Sequence, residues 1–454
     1  MTGGRPQTLL VTGAGGTGRT TVAAATACAA AAQGHRTLLL SPEPARRLAA
    51  LLTPGAGADD PVQGGTPAAH VPGTDAFEAV AGVPGLWLGR VEAGEEFRRQ
   101  AVDLQQRGKT VLDLLGAVPL DEDELTELPG AGAFALLRAL HAAHRTDALP
   151  AAAADGWDIV VADLPPTPEG LNLLALPEQL RRYLRRLVPA ERQTARALRP
   201  ILAQLAGAPM PAQWLYETAT RWSKQLAAVQ EIVDAPTTVV RLVTEPGPLA
   251  AESLRTAGAG LRLHGLALES VVANRLLPTG SSDRWLAALA GQQQAALREL
   301  RGTCAADSVP LCELPHLGRD PRGVEDLTAL ADAARTAVAP EAGGGGEGLR
   351  PPAGADTAPD TDVAYGWVED RIAEDGTLVW RLPLPGADRD ELELVRRGDE
   401  LTVGVGPYRR VLALPSALRR CRVSGAGLKG GALGVRFTPD PQLWPQGPDA
   451  DPRP

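Results

Sequence analysis

Nine residues, Gly13-Ala14-Gly15-Gly16-Thr17-Gly18-Arg19-Thr20-Thr21, place four glycines and a pair of adjacent hydroxyls directly after the apolar run Thr8–Gly13. When a strand feeds such a loop and a helix leaves it, backbone N–H groups converge on an anion. The helix N-terminus adds partial positive charge there. Glycine lets the chain adopt positive φ and approach the anion closely. Thr20 stands where a phosphate-binding loop offers its hydroxyl to magnesium, and Arg19 stands where that loop carries its lysine. Arg19 keeps the charge, but a guanidinium is broad and planar where an ammonium is a compact point. Phosphate binding tolerates that exchange better than γ-phosphate stabilisation does. Losing one positioned charge in a site of this kind costs on the order of 10²–10³ in rate.

A strand and a helix must hold these groups in place, and the pattern around the loop supplies them. Apolar runs at 8–13, 36–41, 157–164, 238–246 and 268–276 read as strands covered on both faces. Helical segments at 20–34, 94–117 and 284–301 lie between them. This alternation predicts an α/β domain over residues 1–338, with a mostly parallel sheet flanked by helices. The insertions at about 50–155 and 175–235 are expected to form a helical layer over the sheet. Residues 339–362 contain almost nothing able to fill a core and read as a flexible linker. Residues 363–438 alternate as short strands, an all-β sandwich, and 439–454 form a proline-rich tail. A length of 454 residues suits two or three domains.

A net charge of −9, with no dominant basic stripe, argues against broad nucleic-acid binding. The cluster Arg181–Leu187, "RRYLRRL", reads as a solvated helix face. Cys28, Cys304, Cys312 and Cys421 are too scattered for a disulfide frame or a zinc site. His141 and His144, one turn apart, read as part of an exposed helix face. No basic-then-apolar leader precedes residue 30, and no run reaches the roughly 18 apolar residues of a membrane span. The expectation is a cytoplasmic protein without an integral membrane segment.

The loop and three later segments together resemble the ArsA-type ATPases, which include arsenite-pump subunits and the guided-entry factors that deliver tail-anchored membrane proteins. Gly13 to Thr21 matches that family's deviant Walker A, G-K-G-G-V-G-K-T-T, with two lysines replaced. The lysine that reaches a dimer partner's nucleotide falls on Ala14, and the P-loop lysine falls on Arg19. "SPEPARRL" (41–48) resembles switch I, so its catalytic aspartate, which orients the attacking water, falls on Glu43. One added methylene is enough to misplace a water. "DLPPTPEGLNLLALP" (163–177) resembles switch II, the most specific match. It implies that Asp163 holds magnesium through water while Thr20 ligates it, and it puts Pro168 in place of a glycine. "VVANRLLP" (271–278) resembles the segment that reads adenine, so Asn274 would bond the base edge. "ELPHLGRDPRGVEDL" (313–327) resembles the loop that follows, placing Pro315 beside the base. The resemblance therefore implies ATP and Mg²⁺ as ligands, bound by Gly13, Gly15, Gly16, Thr17, Gly18, Arg19, Thr20, Thr21, Asn274 and Pro315. It also implies a P-loop NTPase fold, a homodimer as a possible assembly and a protein client. The guided-entry zinc cysteines would fall near 282–285, where none is present, and the arsenite-binding cysteine set is missing.

Residues 378–437 resemble the alpha-crystallin-like domain appended to some bacterial ArsA-type ATPases, through "LPLP", "GDEL", "VGPYRRVLALP" and "GALGVRF". Asp399, Arg409 and Arg410 read there as turn and edge charges, and exposed edge strands offer a means of protein contact. Two functions remain open. One is an ATP-hydrolysing switch acting on a protein client. The other is a pseudo-ATPase module, which the changes at Ala14, Arg19, Glu43 and Pro168 favour. A subunit for anion or metalloid transport is a third, weaker reading.

Overall fold

The structure, a computed structural model, describes residues 5–53, 77–109, 113, 118–145, 156–187, 211–338, 349 and 366–444. Nine strands build its larger sheet: β1 Gln7–Gly13, β2 Thr37–Ser41, β3 Glu78–Ala79, β4 Leu86–Arg90, β5 Ile159–Asp163, β6 Thr238–Thr244, β7 Ala267–Leu276, β8 Leu311–Pro315 and β9 Arg335–Val338. Their order is β3-β4-β2-β5-β1-β6-β7-β8-β9, parallel throughout except for β3 and β9 at the edges. Leu9, Leu10, Leu38, Leu39, Val160, Val161 and Val240 are fully buried, which is why their runs lack polar alternation. Two core clusters, one on each face, cover the sheet with helices. All five strands read from sequence are present.

The helices that position the site are α1 Arg19–Ala32, α2 Ala45–Leu52, α3 Ala93–Arg107, α4 Ala131–Ala143, α5 Glu169–Leu187, α6 Pro211–Val233, α7 Ala250–His264, α8 Arg284–Ala306 and α9 Gly323–Asp332. Helix α3 spans Ala93–Arg107, with Gly108 N–H bonding Leu104 O at 2.9 Å, and most of the remainder of the helix predicted to residue 117 lies outside the described residues. The expectation of a purely helical insertion at 50–155 is corrected by β3 and β4, which extend the sheet beyond β2. The short run Leu86–Arg90 concealed a strand because Gly89 interrupts it. That glycine lies against Leu40 and Phe77, where a Cβ would clash.

Seven further strands form the C-terminal domain, all paired antiparallel: β10 Trp367–Arg371, β11 Thr377–Pro383, β12 Leu392–Arg397, β13 Glu400–Val405, β14 Tyr408–Ala413, β15 Cys421–Lys429 and β16 Ala432–Pro439. They make two sheets, β10-β11-β16-β15 and β12-β13-β14, whose buried Trp380, Val403, Val435 and Phe437 share one core. The expected linker lies outside the described residues except for Leu349. That side chain is buried, and its N–H bonds Ala331 O at 2.9 Å.

This domain packs on α5 and α7, and two readings change there. Arg182 is bidentate to Glu400 at 3.0 and 2.6 Å and Arg186 bonds the same carboxylate, so two members of the arginine cluster dock the C-terminal domain, while Tyr183, Arg185 and Leu187 stay exposed as a solvated face. Arg410 is 5% exposed, with Nε 3.1 Å from Glu178 and Nη1 donating to Leu263 O at 3.0 Å, so it is no edge charge. His144 is not on an open face either: its Nε2 lies 3.0 Å from Thr8 Oγ1 and its Nδ1 2.8 Å from Leu140 O.

His264 closes α7 beneath Arg410, and its Nε2 is buried without a hydrogen-bond partner among the described residues. Burial first, and the Arg410 charge second, push its pKa down from 6.5 to about 4. The unfolded chain takes up this proton near pH 6.5 and the folded one only near 4, so stability is lost as pH falls between the two. At 1.36 kcal/mol per pKa unit the loss is about 3 kcal/mol. Urea unfolding from pH 7 to 4 should show it in the wild type and not in His264→Gln. Parallel pH profiles for the two proteins would contradict the assignment.

Candidate functional site

All the sequence-predicted site residues lie at the carboxyl ends of β1, β2, β5, β7 and β8 or in the loop and helix that follow. In an open parallel sheet this is the edge where ligands bind. Register brings them together: Gly13 pairs with Val243, Val11 with Asp163, Leu40 with Ala162 and Leu276 with Pro315.

The loop leaves β1 at Gly13, where a Cβ would fall 1.9 Å from Val243 O. Gly18 caps α1 in the left-handed region, φ 88°, and no side chain among the described residues caps that helix. Val22 is the first residue whose N–H finds a helical acceptor, Gly18 O at 2.9 Å, so the N–H groups of Arg19, Thr20 and Thr21 have none within the helix. Thr17 turns inward, its hydroxyl bonding Ala14 O at 2.8 Å. Gly15 and Gly16 are exposed, with open space where side chains would stand. The result is an uncapped helix N-terminus behind an open glycine crown, a cradle for an anion.

Three segments meet beside it. Asp163 is 1% exposed at the end of β5 and accepts from Ser41 Oγ at 2.8 Å. Glu43 takes its N–H to the same Ser41 Oγ at 3.3 Å. The Thr20 hydroxyl lies between the two carboxylates, near enough to Asp163 to favour its ionised form, and donates to Glu43 Oε1 at 3.3 Å, while Arg47 holds Glu43 Oε2 at 3.1 Å. Asp163 Oδ1 is buried with no hydrogen bond of good geometry among the described residues. Burial pushes the Asp163 carboxyl up from the usual range against its hydrogen bonds and the Arg19 charge. Arg19 donates Nη1 to Leu164 O, which ties α1 to the 164–168 loop. Thr167 N–H bonds Gly13 O at 3.0 Å, and Pro168 O receives the N–H groups of Leu171 and Asn172 at the start of α5.

Asn274 is buried behind the loop. Its Nδ2 donates to Thr17 O at 2.8 Å and its Oδ1 accepts from Arg275 N at 2.9 Å, so both amide ends are engaged with backbone. Pro315 ends β8 on the neighbouring strand. Arg275 touches both the loop, through Nη1 to Gly16 O at 2.9 Å, and a cleft of about 770 Å³ lined by Glu245, Pro248, Leu277, Gln293 and His316. Sequence reasoning missed Ser41, Arg275 and Gln293. Ser41 was visible as the polar end of an apolar strand, and Gln293 as a polar residue on the buried face of α8.

These groups suit a magnesium-bound nucleotide. Thr20 and the lone acceptor Asp163 Oδ1 could hold the ion, directly or through water, and the N–H groups at the start of α1 could hold phosphate. Bound there, magnesium would neutralise charge on the phosphate oxygens.

Comparison with known proteins supplies the family. The family model described as anion-transporting ATPase matches residues 6–335, and one described as an HSP20-like domain found in ArsA matches residues 375–437. An uncharacterized protein of Streptomyces coelicolor is 49% identical over 442 residues, covering 97% of this chain and 100% of that one. A protein of Mycobacterium tuberculosis is 32% identical over 455 residues, covering 96% and 97%. The provisionally named arsenical pump-driving ATPase 1 of Aquifex aeolicus is 24% identical over 426 residues, covering 90% and 94%.

Proposed function

The chain belongs to the anion-transporting ATPase family, and from that premise we propose that it is an ATP-binding switch, slow in hydrolysis, that acts on a protein client. The observation that carries the reading is the cradle itself: among the described residues, an α1 N-terminus with no side-chain cap, an open glycine crown and a buried Asp163 oxygen without a hydrogen bond of good geometry, all at one sheet edge. ATP would place its phosphates over the N–H groups of the loop and Arg19–Thr21, with magnesium between Thr20 and Asp163. The loop is of the deviant Walker A type, with Ala14 and Arg19 in the places of its lysines.

Slow hydrolysis follows from how the charged side chains are spent. Arg19 is bonded to Leu164 O, and Glu43 is shared between Thr20 and Arg47. Neither is free to meet a transferring phosphate or a water without exchanging a partner. The same contacts favour the second reading, a pseudo-ATPase that binds nucleotide without turnover. Metalloid transport ranks below both. Its thiolate ligands would have to come from four cysteines that are each buried, with the Cys28 thiol pushed up to about 12 and those of Cys304 and Cys312 to about 11.

Phosphate release separates the first two readings. Ala14→Lys with Arg19→Lys should raise turnover on the order of 10²-fold if the replaced lysines are the defect. No gain from the pair would sink that explanation and leave the pseudo-ATPase reading.

A further inference from the structure

Arg275 is built into the site as strongly as any predicted residue, and nothing in the fold alone requires it. It has φ 60°, one of two non-glycine residues with positive φ among those described. A branched-off side chain in that region is uncommon and costs energy, and such residues persist where surrounding contacts over-determine them. Here they do. Asn274 Oδ1 accepts the Arg275 N–H, and Gln293 Nε2 donates to Arg275 O at 3.0 Å while Gln293 Oε1 accepts from Leu277 N at 2.7 Å. The irregular register between β7 and β8 from Ala273 to Leu276 falls on the same residues, as a bulge that re-aims a side chain.

The side chain so aimed reaches the loop. Its Nη1 sits 2.9 Å from Gly16 O, with Glu245 Oε2 at 3.3 Å as its counter-ion. Both members of that pair are more than 40% exposed, so the contact is worth little and is readily exchanged. Three other arginines are committed: Arg19 to Leu164 O, Arg47 to Glu43, and Arg241, buried on β6, to Glu269, Ser270 and Thr26. Gly15 and Gly16 leave open space beside the Arg275 guanidinium.

We propose that Arg275 supplies the site's phosphate-binding cation from within the same chain: when nucleotide binds, its guanidinium leaves Glu245 for the phosphate chain lying over Gly15 and Gly16. The proposal rests on the nucleotide-binding reading above. A planar fork of donors suits phosphate oxygens, and a strained backbone position holds it there in advance.

Arg275→Gly is the sharpest variant, because glycine accepts φ 60° without strain and the free protein should melt no lower than the wild type. Arg275→Gln serves as a second loss of charge that keeps a shorter polar side chain. Calorimetric titration with Mg-ATP and, separately, with inorganic tripolyphosphate should show both affinities falling by about 10-fold or more in each variant, by the same factor for the two ligands. Unchanged affinities would overturn the proposal. A fall for ATP alone would also overturn it, by placing Arg275 against the nucleoside. If the wild type binds neither ligand, it is the underlying nucleotide reading that fails.

Discussion

Asp163→Asn should lose the metal-dependent part of ATP affinity and at the same time make the nucleotide-free protein more stable. Removing a group that supports a bound metal ion typically costs 10–100-fold in its affinity, and about that loss is expected when Mg-ATP binding is measured against ATP with chelator. The stability gain has the opposite cause. The Asp163 carboxyl is buried with one firm donor, Ser41, and its folded pKa lies above the unfolded value. Such a group favours folding while protonated, and that contribution disappears as pH rises through the folded pKa. At neutral pH the ionised carboxylate therefore works against the fold, and asparagine, which still accepts from Ser41, removes the charge. Urea unfolding at pH 7 without nucleotide checks the second half. An Asp163→Asn protein that binds Mg-ATP like the wild type, or is less stable without it, would contradict the role assigned to this carboxylate.

Arg410→Ala should cost about 2–4 kcal/mol and loosen the C-terminal domain from α5 and α7. Arg410 bridges three things at once: the Glu178 carboxylate of α5, the Leu263 carbonyl near the end of α7, and the strand β14 that carries it. A cation at the carboxyl end of a helix also meets the negative end of its dipole. Deleting it leaves that carbonyl without its donor and a buried space between the domains. Glu178 is about a third exposed, so water takes over part of its loss, which keeps the expected cost below that of a fully buried pair. Calorimetric unfolding would show a lower midpoint, with the β domain opening as a separate step. A loss under about 1 kcal/mol, with a single unchanged transition, would show that the apolar contacts alone hold the interface.

How far these effects were legible before the fold was known depended on whether a residue acts locally. The glycine loop, its flanking strand and helix, and the acids at the ends of β2 and β5 declare themselves, because strand-end position and residue type are both local signals. So did the two-domain division into a parallel sheet and a short-stranded antiparallel region. Leu86–Arg90 did not, since it is a strand only because Gly89 fits under Leu40 and Phe77. The docking role of Arg182, Arg186 and Arg410 was hidden for the same reason: each partner lies more than 140 residues away along the chain. Asn274 stood out in the sequence, but what holds it, Thr17 O across the loop and the strained Arg275, comes from the bulge in β7. Sequence spacing carries no signal for such a bulge when the residue at positive φ is an arginine.

The central claim is that this cradle binds nucleotide phosphates, whatever the speed of their cleavage. Calorimetric titration of the wild-type chain with Mg-ATP, with Asp163→Asn as its control, tests it most directly. Saturable binding well below 1 mM nucleotide, equivalent to more than about 4 kcal/mol, weakened in the control, is the predicted result. No heat of binding at millimolar Mg-ATP would contradict it.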